Sequence, residues 1–258
     1  MKVVIFAGGM GSRLSEETAT IPKPMVEIGG MPIVWHIMKI YSHYGYKEFI
    51  ICLGYKGHVI REWFSNYYLR NADITIDLSN SHIEIHRNRA DNWKVTLIDT
   101  GLNVNTATRL LRVREFIGDN DFMLTYGDGL SDIDINKLVA FHNSHEKVAT
   151  VTAIQPEYRF GSLRIDEYEA VTRFSEKSDH KDSWVNGGFF VLRPKVFEYL
   201  PQQKDVMWER EPLEALANEN QLVSYRHRGF WKSMDILRDK MQLEDAWLSP
   251  NPPWKVWD

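Results

Sequence analysis

The chain has 258 residues, 43% of them hydrophobic, and a formal net charge of −4 from 31 Lys+Arg against 35 Asp+Glu. That size and apolar content allow a sizeable core and leave no expectation of a disordered tail. The acidic balance argues against a nucleic-acid partner, although the basic residues can still gather into one local positive pocket.

The single cysteine, Cys52 in FIICLGY, can make no intrachain disulfide, which suits a reducing compartment, with cytoplasm as the default. MKVVIFAGG is too short an apolar run for a signal-peptide core or a membrane span, and no other segment is long enough, so no membrane association is expected.

In chain order, KVVIFA (2–7) and EFIICLGY (48–55) are short apolar runs, and PIVWHIMKIYSHYG (32–45) and GHVIREWFSNYYLR (57–70) are longer amphipathic ones. The opening therefore reads β-α-β-α. Strands apolar on both faces, joined by helical crossovers, predict an α/β fold with a mostly parallel sheet and ligands at the carboxyl ends of its strands. Between 73 and 100 the pattern turns to period two in DITIDLS, SHIEIHR and WKVTLIDTG, which predicts a small antiparallel excursion beside the main sheet. TRLLRVREFIG then reads as helix, DFMLTYGDG as strand and turn, and DINKLVAFHNSHE as a helix capped by Asp134.

From 148 the chain is strand-rich, with VATVTAIQ, GSLRID, AVTRFSEK and NGGFFVLRP ahead of two helices around REPLEALANENQ and MDILRDKMQLEDAWL. The tail SPNPPWKVWD holds too much proline for a helix. No repeat or flexible linker interrupts the pattern. A single domain over 1–258 is expected, with a nucleotide-binding half over 1–130, including a hairpin insertion at about 73–100, and a second half over 131–258 ending in helices.

The stretch AGGMGSRLSEETATIPKP, residues 7 to 24, begins where the first strand ends. Its glycines can turn backbone N–H groups toward an anion at close approach, and on the glycines alone an ordinary strand-to-helix turn stays open. It is not a P-loop, since no Lys-Ser/Thr follows a glycine. It is not a dinucleotide fingerprint either, because Leu14 stands where the third glycine belongs, which removes the main support for hydride chemistry. Arg13 and Lys23 place two cations on this loop, enough to neutralise a triphosphate and the charge that develops in phosphoryl transfer. Pro22 and Pro24 restrict the backbone around Lys23 and lower the entropy lost in aiming it.

Asp128 in TYGDGLSD closes an apolar strand and stands at its ligand end, although Asp in a G-D-G turn is also a turn former. Asp235 in WKSMDILRD reads equally as a helix N-cap. The nine histidines are scattered, with no metal or triad spacing and no convincing general base. Arg109 carries a fork that can satisfy two adjacent acceptors. A helix-surface position is its alternative. Glu176 and Lys177 can be a solvated pair, and Tyr126 and Trp231 can be core aromatics.

KVVIFAGGMGSRLSEET followed by PKPMVEIGGMPIVWHIM resembles the amino-terminal signature of sugar-1-phosphate nucleotidylyltransferases, G-G-x-G-[ST]-R-L and then P-K-P. LTYGDGLSDIDI, FSEK, NGGFFVLRP and FWKSMDILRDK follow in the family's order, to about residue 240. The resemblance implies a three-layer, Rossmann-like nucleotide-diphospho-sugar transferase fold with a mostly parallel mixed sheet. It further implies a reaction in which a sugar 1-phosphate oxygen attacks the α-phosphorus of a nucleoside triphosphate and pyrophosphate leaves.

In that family the loop positions Ala7, Gly8, Gly9, Gly11 and Ser12 hold the nucleotide, Arg13 and Lys23 are catalytic, and Asp128 and Asp235 hold Mg²⁺. Thr106 and Arg109 are implied at the base, and Tyr126, Glu176, Lys177, Asn186, Gly187 and Trp231 at the sugar, which makes 131–258 the sugar-phosphate half. Two departures stand out: T-A-T-R replaces T-G-G-R, and Ser178 replaces the proline of E-K-P.

Stretches such as VTLIDTG and NGGFFVL point within the family to cytidylyl transfer from CTP, with glucose 1-phosphate as acceptor and surface-polysaccharide synthesis as destination. Uridylyl or thymidylyl transfer, and another phosphorylated acceptor, are the alternatives. A non-catalytic nucleotide-sugar sensor would have damaged phosphate or metal positions, yet Arg13, Lys23, Asp128 and Asp235 are all present. Family members assemble as oligomers, so a homo-oligomer is implied, and the aromatic WFSNYY and PPWKVW are compatible with subunit contacts.

Overall fold

Seven strands form the central sheet of the computed structural model, which describes residues 1–155, 162–165, 171–175 and 184–258. They are β1 (Val3–Ala7), β2 (Glu48–Leu53), β3 (Lys94–Asp99), β4 (Phe122–Tyr126), β5 (Ala149–Ile154), β6 (Val185–Leu192) and β7 (Leu222–Arg226), in the order β7-β5-β6-β4-β1-β2-β3. β1 pairs parallel with β2 and β4, β2 with β3, and β5 with β7. β6 runs antiparallel to both β4 and β5, which makes the sheet mixed but mostly parallel, as the sequence predicts.

Period-two alternation along β1 divides its side chains between two cores. Val3, Ile5 and Ala7 join one cluster with Ile37 and Tyr41 of α1 (Ile33–His43), and with Leu243 and Trp254 nearer the carboxyl end. Val4 and Phe6 join the other with Leu110, Trp208 and Leu216. All five residues of β1 are buried because helices cover both faces, which gives the three-layer arrangement its central strand. The remaining main helices are α2 (Gly57–Arg70), α3 (Thr106–Arg112), α4 (Ile135–Asn143), α5 (Glu211–Asn218) and α6 (Leu237–Trp247). None of the helices among the described residues is long and apolar enough to cross a membrane.

The expected excursion over 73–100 is smaller than its period-two pattern implies. Ala72–Asp77 and His82–Asn88 form the antiparallel hairpin, but the third run, β3, joins the main sheet in parallel register with β2, from Glu48↔Lys94 to Leu53↔Asp99. As an edge strand with four half-buried residues between two exposed ones, it lacks the continuous apolar signature of a central strand. TRLLRVREFIG also divides, into α3 and the short helix Arg114–Ile117. Asp134 caps α4 as predicted, its carboxylate accepting from the Lys137 N–H at 2.9 Å.

The proline-rich tail is not helical, and it seats Trp254, fully buried, against Trp247 and Phe230. Trp254 Nε1–H donates to Nδ1 of the buried His36 at 3.3 Å, and His36 Nε2–H donates to the Ile28 carbonyl at 2.8 Å. An indole only donates and a carbonyl only accepts, so this pair of bonds requires neutral imidazole with its proton on Nε2. Burial holds the pKa of His36 down to about 4, and does the same for His142.

Both groups take up protons more readily when unfolded, near the ordinary histidine value of about 6.5. Their contribution to stability is therefore complete above pH 6.5 and is lost as pH falls toward 4, by about 1.4 kcal/mol per pH unit for each histidine. Equilibrium urea unfolding should show a midpoint that declines from pH 6.5 to pH 5. A flat profile over that range would show that these histidines are not held neutral.

Candidate active site

The loop after β1 owes its glycines to different causes. A Cβ on buried Gly8 would lie 2.2 Å from Arg109 Nη1, so the close approach there is to a protein side chain. Gly9 has no atom within 4 Å of its Cβ position and faces open space. Gly11 has φ +63°, in the left-handed region, and its carbonyl accepts the Leu14 N–H at 2.9 Å and the Thr18 hydroxyl at 3.1 Å. The turn Ser12–Leu14 is anchored by fully buried Leu14, which leaves Arg13 extended into solvent with 73% of its side chain exposed. Lys23 opens a second turn, Lys23–Met25, whose Pro24 and Met25 are buried.

β4 delivers Asp128 to the same place. Gly127 N–H donates to the Phe6 carbonyl at 3.0 Å, and a Cβ there would sit 2.7 Å from that oxygen, so the turn passes tightly over the end of β1. Gly129–Ser131 then pairs antiparallel with Trp231–Ser233, and the Met234 N–H donates to the Asp128 carbonyl at 2.9 Å. This pairing sets Asp235 beside Asp128. Lys23 Nζ donates to Asp128 Oδ2 at 2.5 Å and to Asp235 Oδ1 at 2.9 Å, and Arg13 Nη2 lies 3.0 Å from Asp235 Oδ1.

The N-cap alternative for Asp235 does not hold. The α6 amino terminus is served by the Asp239 carboxylate, which accepts from the N–H groups of Asp235 at 3.0 Å and Ile236 at 3.1 Å. Burial alone would push the Lys23 pKa down, but Asp128 and Asp235 outweigh it and hold the ammonium above the ordinary lysine value. Burial likewise pushes Asp235 up, and Lys23 and Arg13 together hold it below the usual carboxylate range.

These groups line one cleft of about 470 Å³. Ala7, Gly9, Gly11 and Ser12 form one wall, and Thr106, Tyr126, Gly187 and Trp231 stand opposite or beside them. Trp231 Nε1–H donates to the Gly187 carbonyl at 2.6 Å. Asn186 Nδ2 donates to the Tyr126 hydroxyl at 3.2 Å, while its Oδ1 accepts the Gly188 N–H at 2.8 Å. Burial raises the Tyr126 pKa, with Glu209 and Asp128 adding to the rise, so the phenol stays protonated.

Arg109 is not brought to the cleft. It is 3% exposed, with Nη1 donating to Leu53 O, Thr100 Oγ1 and Gly101 O and Nη2 to Gly8 O and Leu102 O, at distances of 2.7 to 3.2 Å. Its fork ties together the loops that leave β1, β2 and β3, and both ends of the fork that would read a base are already engaged. Glu176 and Lys177 lie outside the described residues. Glu209, which no motif marked, accepts from Thr106 Oγ1 at 2.8 Å behind the cleft wall. Ser233 was also unmarked; its hydroxyl donates to Asp235 Oδ2 at 3.3 Å, and its place in the strand that carries Asp235 is the one signal that could have found it. Among the described residues no group of three or more His, Cys, Asp or Glu gathers as metal ligands, so a cation here would rest on the two carboxylates.

Residues 2–237 match the Nucleotidyl transferase family. The chain belongs to that family. It is 50% identical over 259 residues to glucose-1-phosphate cytidylyltransferase of Salmonella typhi, and 45% identical over 257 residues to probable glucose-1-phosphate cytidylyltransferase of Bacillus subtilis, each match covering the whole of both chains. A mannose-1-phosphate guanyltransferase of Schizosaccharomyces pombe is 25% identical, covering 96% of this chain and 64% of that one. Among solved structures, a putative glucose-1-phosphate thymidylyltransferase from Bacillus anthracis superposes with TM-score 0.68 at 19% identity, covering 97% of this chain and 96% of that one. An apo UDP-glucose pyrophosphorylase does so with TM-score 0.67 at 16% identity, covering 96% and 98%. These two structures share the fold of this chain.

Truncating Arg109 would remove the hydrogen bonds of its fork and leave the buried space it fills empty. Arg109→Ala should therefore lower the unfolding free energy by about 2–4 kcal/mol, measured by equilibrium denaturation. Unchanged stability would show that the fork does not hold these loops together.

Proposed function

We propose that this chain transfers CMP from CTP to α-D-glucose 1-phosphate, giving CDP-glucose and pyrophosphate. The observation that carries the reading is the convergence of Arg13, Lys23, Asp128 and Asp235 on one cleft, in a chain 50% identical over its whole length to a glucose-1-phosphate cytidylyltransferase. Uridylyl and thymidylyl transfer have no comparable support.

In this reading an oxygen of the sugar phosphate attacks the α-phosphorus in line. The new P–O bond forms as the bond from the α-phosphorus to the bridging oxygen breaks, and the electron pair leaves on pyrophosphate. A phosphate monoester is already anionic near neutral pH, so the site needs no general base, which accords with the lack of a histidine among the described residues that line the cleft. Gly9 and Gly11 let the backbone come close to the triphosphate, and largely exposed Arg13 exchanges Asp235 for its oxygens. Lys23, kept cationic by its neighbours, exchanges carboxylate oxygens for phosphate oxygens and neutralises charge on the transferred group.

Asp128 and Asp235 fit a magnesium ion: two hard oxygen donors on one side of an open cleft leave its other positions for phosphate and water. When bound, held by these two carboxylates, the ion would offset negative charge on the phosphates. Asn186, Gly187, Tyr126 and Trp231 face the sugar, with Glu176 accepting its hydroxyls and Lys177 holding its phosphate. The nucleotide then occupies the half over 1–130 and the sugar phosphate the half over 131–258. The product suits synthesis of cell-surface polysaccharide in the cytoplasm.

We further read the protein as a homo-oligomer. The hairpin pairs Ile74 with Ile85 and Ile76 with Ile83, which sets four isoleucines on one face, and Leu78 at its tip is 88% exposed. A bare apolar ribbon of this kind is a surface for a second copy of the chain.

Pyrophosphate release from four triphosphates against a panel of sugar 1-phosphates should be fastest with CTP and glucose 1-phosphate; another leading pair would replace the assignment. Lys23→Ala and Asp128→Asn should each lower turnover by about 100-fold or more while the chain stays folded. Wild-type rates in either would remove that residue from the chemistry. Ile76→Glu with Ile83→Glu should reduce the sedimenting mass, and an unchanged mass would take the hairpin out of the interface.

A further inference from the structure

The engagement of Arg109 leaves open how a cytidylyltransferase of this kind would reject uracil nucleotides, and the present inference rests on that reading of the donor. The two bases differ in sign at position 4, where cytosine presents an amino donor and uracil a carbonyl acceptor. A wall group selects between them if its own polarity is fixed. A hydroxyl is not fixed by itself, since it rotates to donate or accept as its neighbour requires.

The Thr106 hydroxyl is an exception because of what lies behind it. Its oxygen accepts the Trp208 N–H at 2.8 Å, and its single proton goes to Glu209 Oε2 at 2.8 Å. An ionised carboxylate only accepts, so the direction of the second bond is not in doubt. What Thr106 can still offer to the cleft it lines is a lone pair.

The segment that carries Glu209 is itself tied down. Asp205 accepts from Asn105 N–H at 2.9 Å and from Asn105 Nδ2 at 2.8 Å, and the Ala107 N–H donates to the Val206 carbonyl at 3.2 Å. Glu209 also adds to the rise in the Tyr126 pKa, so the neighbouring phenol keeps its proton, and its oxygen accepts from Asn186 at 3.2 Å. The Thr106 proton is thus drawn to an acid on a fixed segment, away from the ligand.

We propose that Glu209 is a positioning residue for base selection: it holds the Thr106 proton out of the cleft, so that the wall accepts from the 4-amino group of cytosine and has no donor for the 4-carbonyl of uracil. Uracil at this position sets two acceptors against each other. The mismatch leaves both without a partner.

The test is kcat/KM for CTP and for UTP, with glucose 1-phosphate as acceptor, in the wild type, Glu209→Gln, Thr106→Ser and Thr106→Val, each with its unfolding midpoint. In Glu209→Gln the amide can donate to Thr106 Oγ1 and release the hydroxyl to turn, so the CTP:UTP ratio should fall by about tenfold. Thr106→Ser, which keeps a hydroxyl on the same acid, should retain the wild-type ratio, and Thr106→Val should lose it. A merely structural Glu209 would depress both nucleotides equally and leave the ratio unchanged, which overturns the proposal. If Glu209→Gln fails to fold, a wild-type ratio in Thr106→Val overturns it instead. A wild type that uses CTP and UTP equally contradicts the donor assignment itself, whereas a CTP preference that survives in both Glu209→Gln and Thr106→Val contradicts this inference alone.

Discussion

A three-residue antiparallel pairing, Gly129–Ser131 with Trp231–Ser233, is the constraint on which the rest of the site depends. It brings Asp235 beside Asp128, and the bond from Met234 N–H to the Asp128 carbonyl holds the two together at the backbone level. Two carboxylates so placed repel each other unless a cation lies between them. Lys23 supplies that cation, and buried Pro24 and Met25 hold its turn against the core. The arrangement is electrostatically self-consistent without any ligand, and each member can exchange its protein partner for a phosphate oxygen or a metal ion without leaving the cleft.

Behind the groups that line the cleft stand two charged residues that do not line it. Arg109 gathers the ends of three strands through backbone carbonyls, and Glu209 takes the Thr106 proton. A guanidinium offers several donors in a fixed plane and a carboxylate only acceptors, so each imposes one polarity on its surroundings. Arg109 fixes where the loops lie. Glu209 fixes which way the Thr106 proton points.

Much of this was legible in the sequence, and for physical reasons. β1 and β2 are covered on both faces, so KVVIFA and EFIICLGY had to be continuously apolar and could be recognised as parallel central strands. Asp134 announced its helix because a short acceptor must stand ahead of the unpaired N–H groups there. β3 was hidden because an edge strand in partial contact alternates like a hairpin strand. Arg109 misled because RLLRVRE has the periodicity of an amphipathic surface helix, and nothing local shows that carbonyls of Gly8 and Leu53 join those of the preceding loop around its head group. Glu209 was invisible for a related reason: its partner, Thr106, belongs to another element, and no motif in WEREP reports on it.

Asp128 and Asp235 are the central claim, because together they should make nucleotide and divalent cation depend on each other. If both sit on the triphosphate through a shared ion, magnesium must tighten CTP by the same factor as CTP tightens magnesium. The most direct measurement is the affinity for CTP with and without magnesium in the wild type, Asp128→Asn and Asp235→Asn. The account predicts a large enhancement by magnesium in the wild type that collapses in both variants. An enhancement that persists in either variant would contradict the convergence of the two carboxylates on one bound nucleotide.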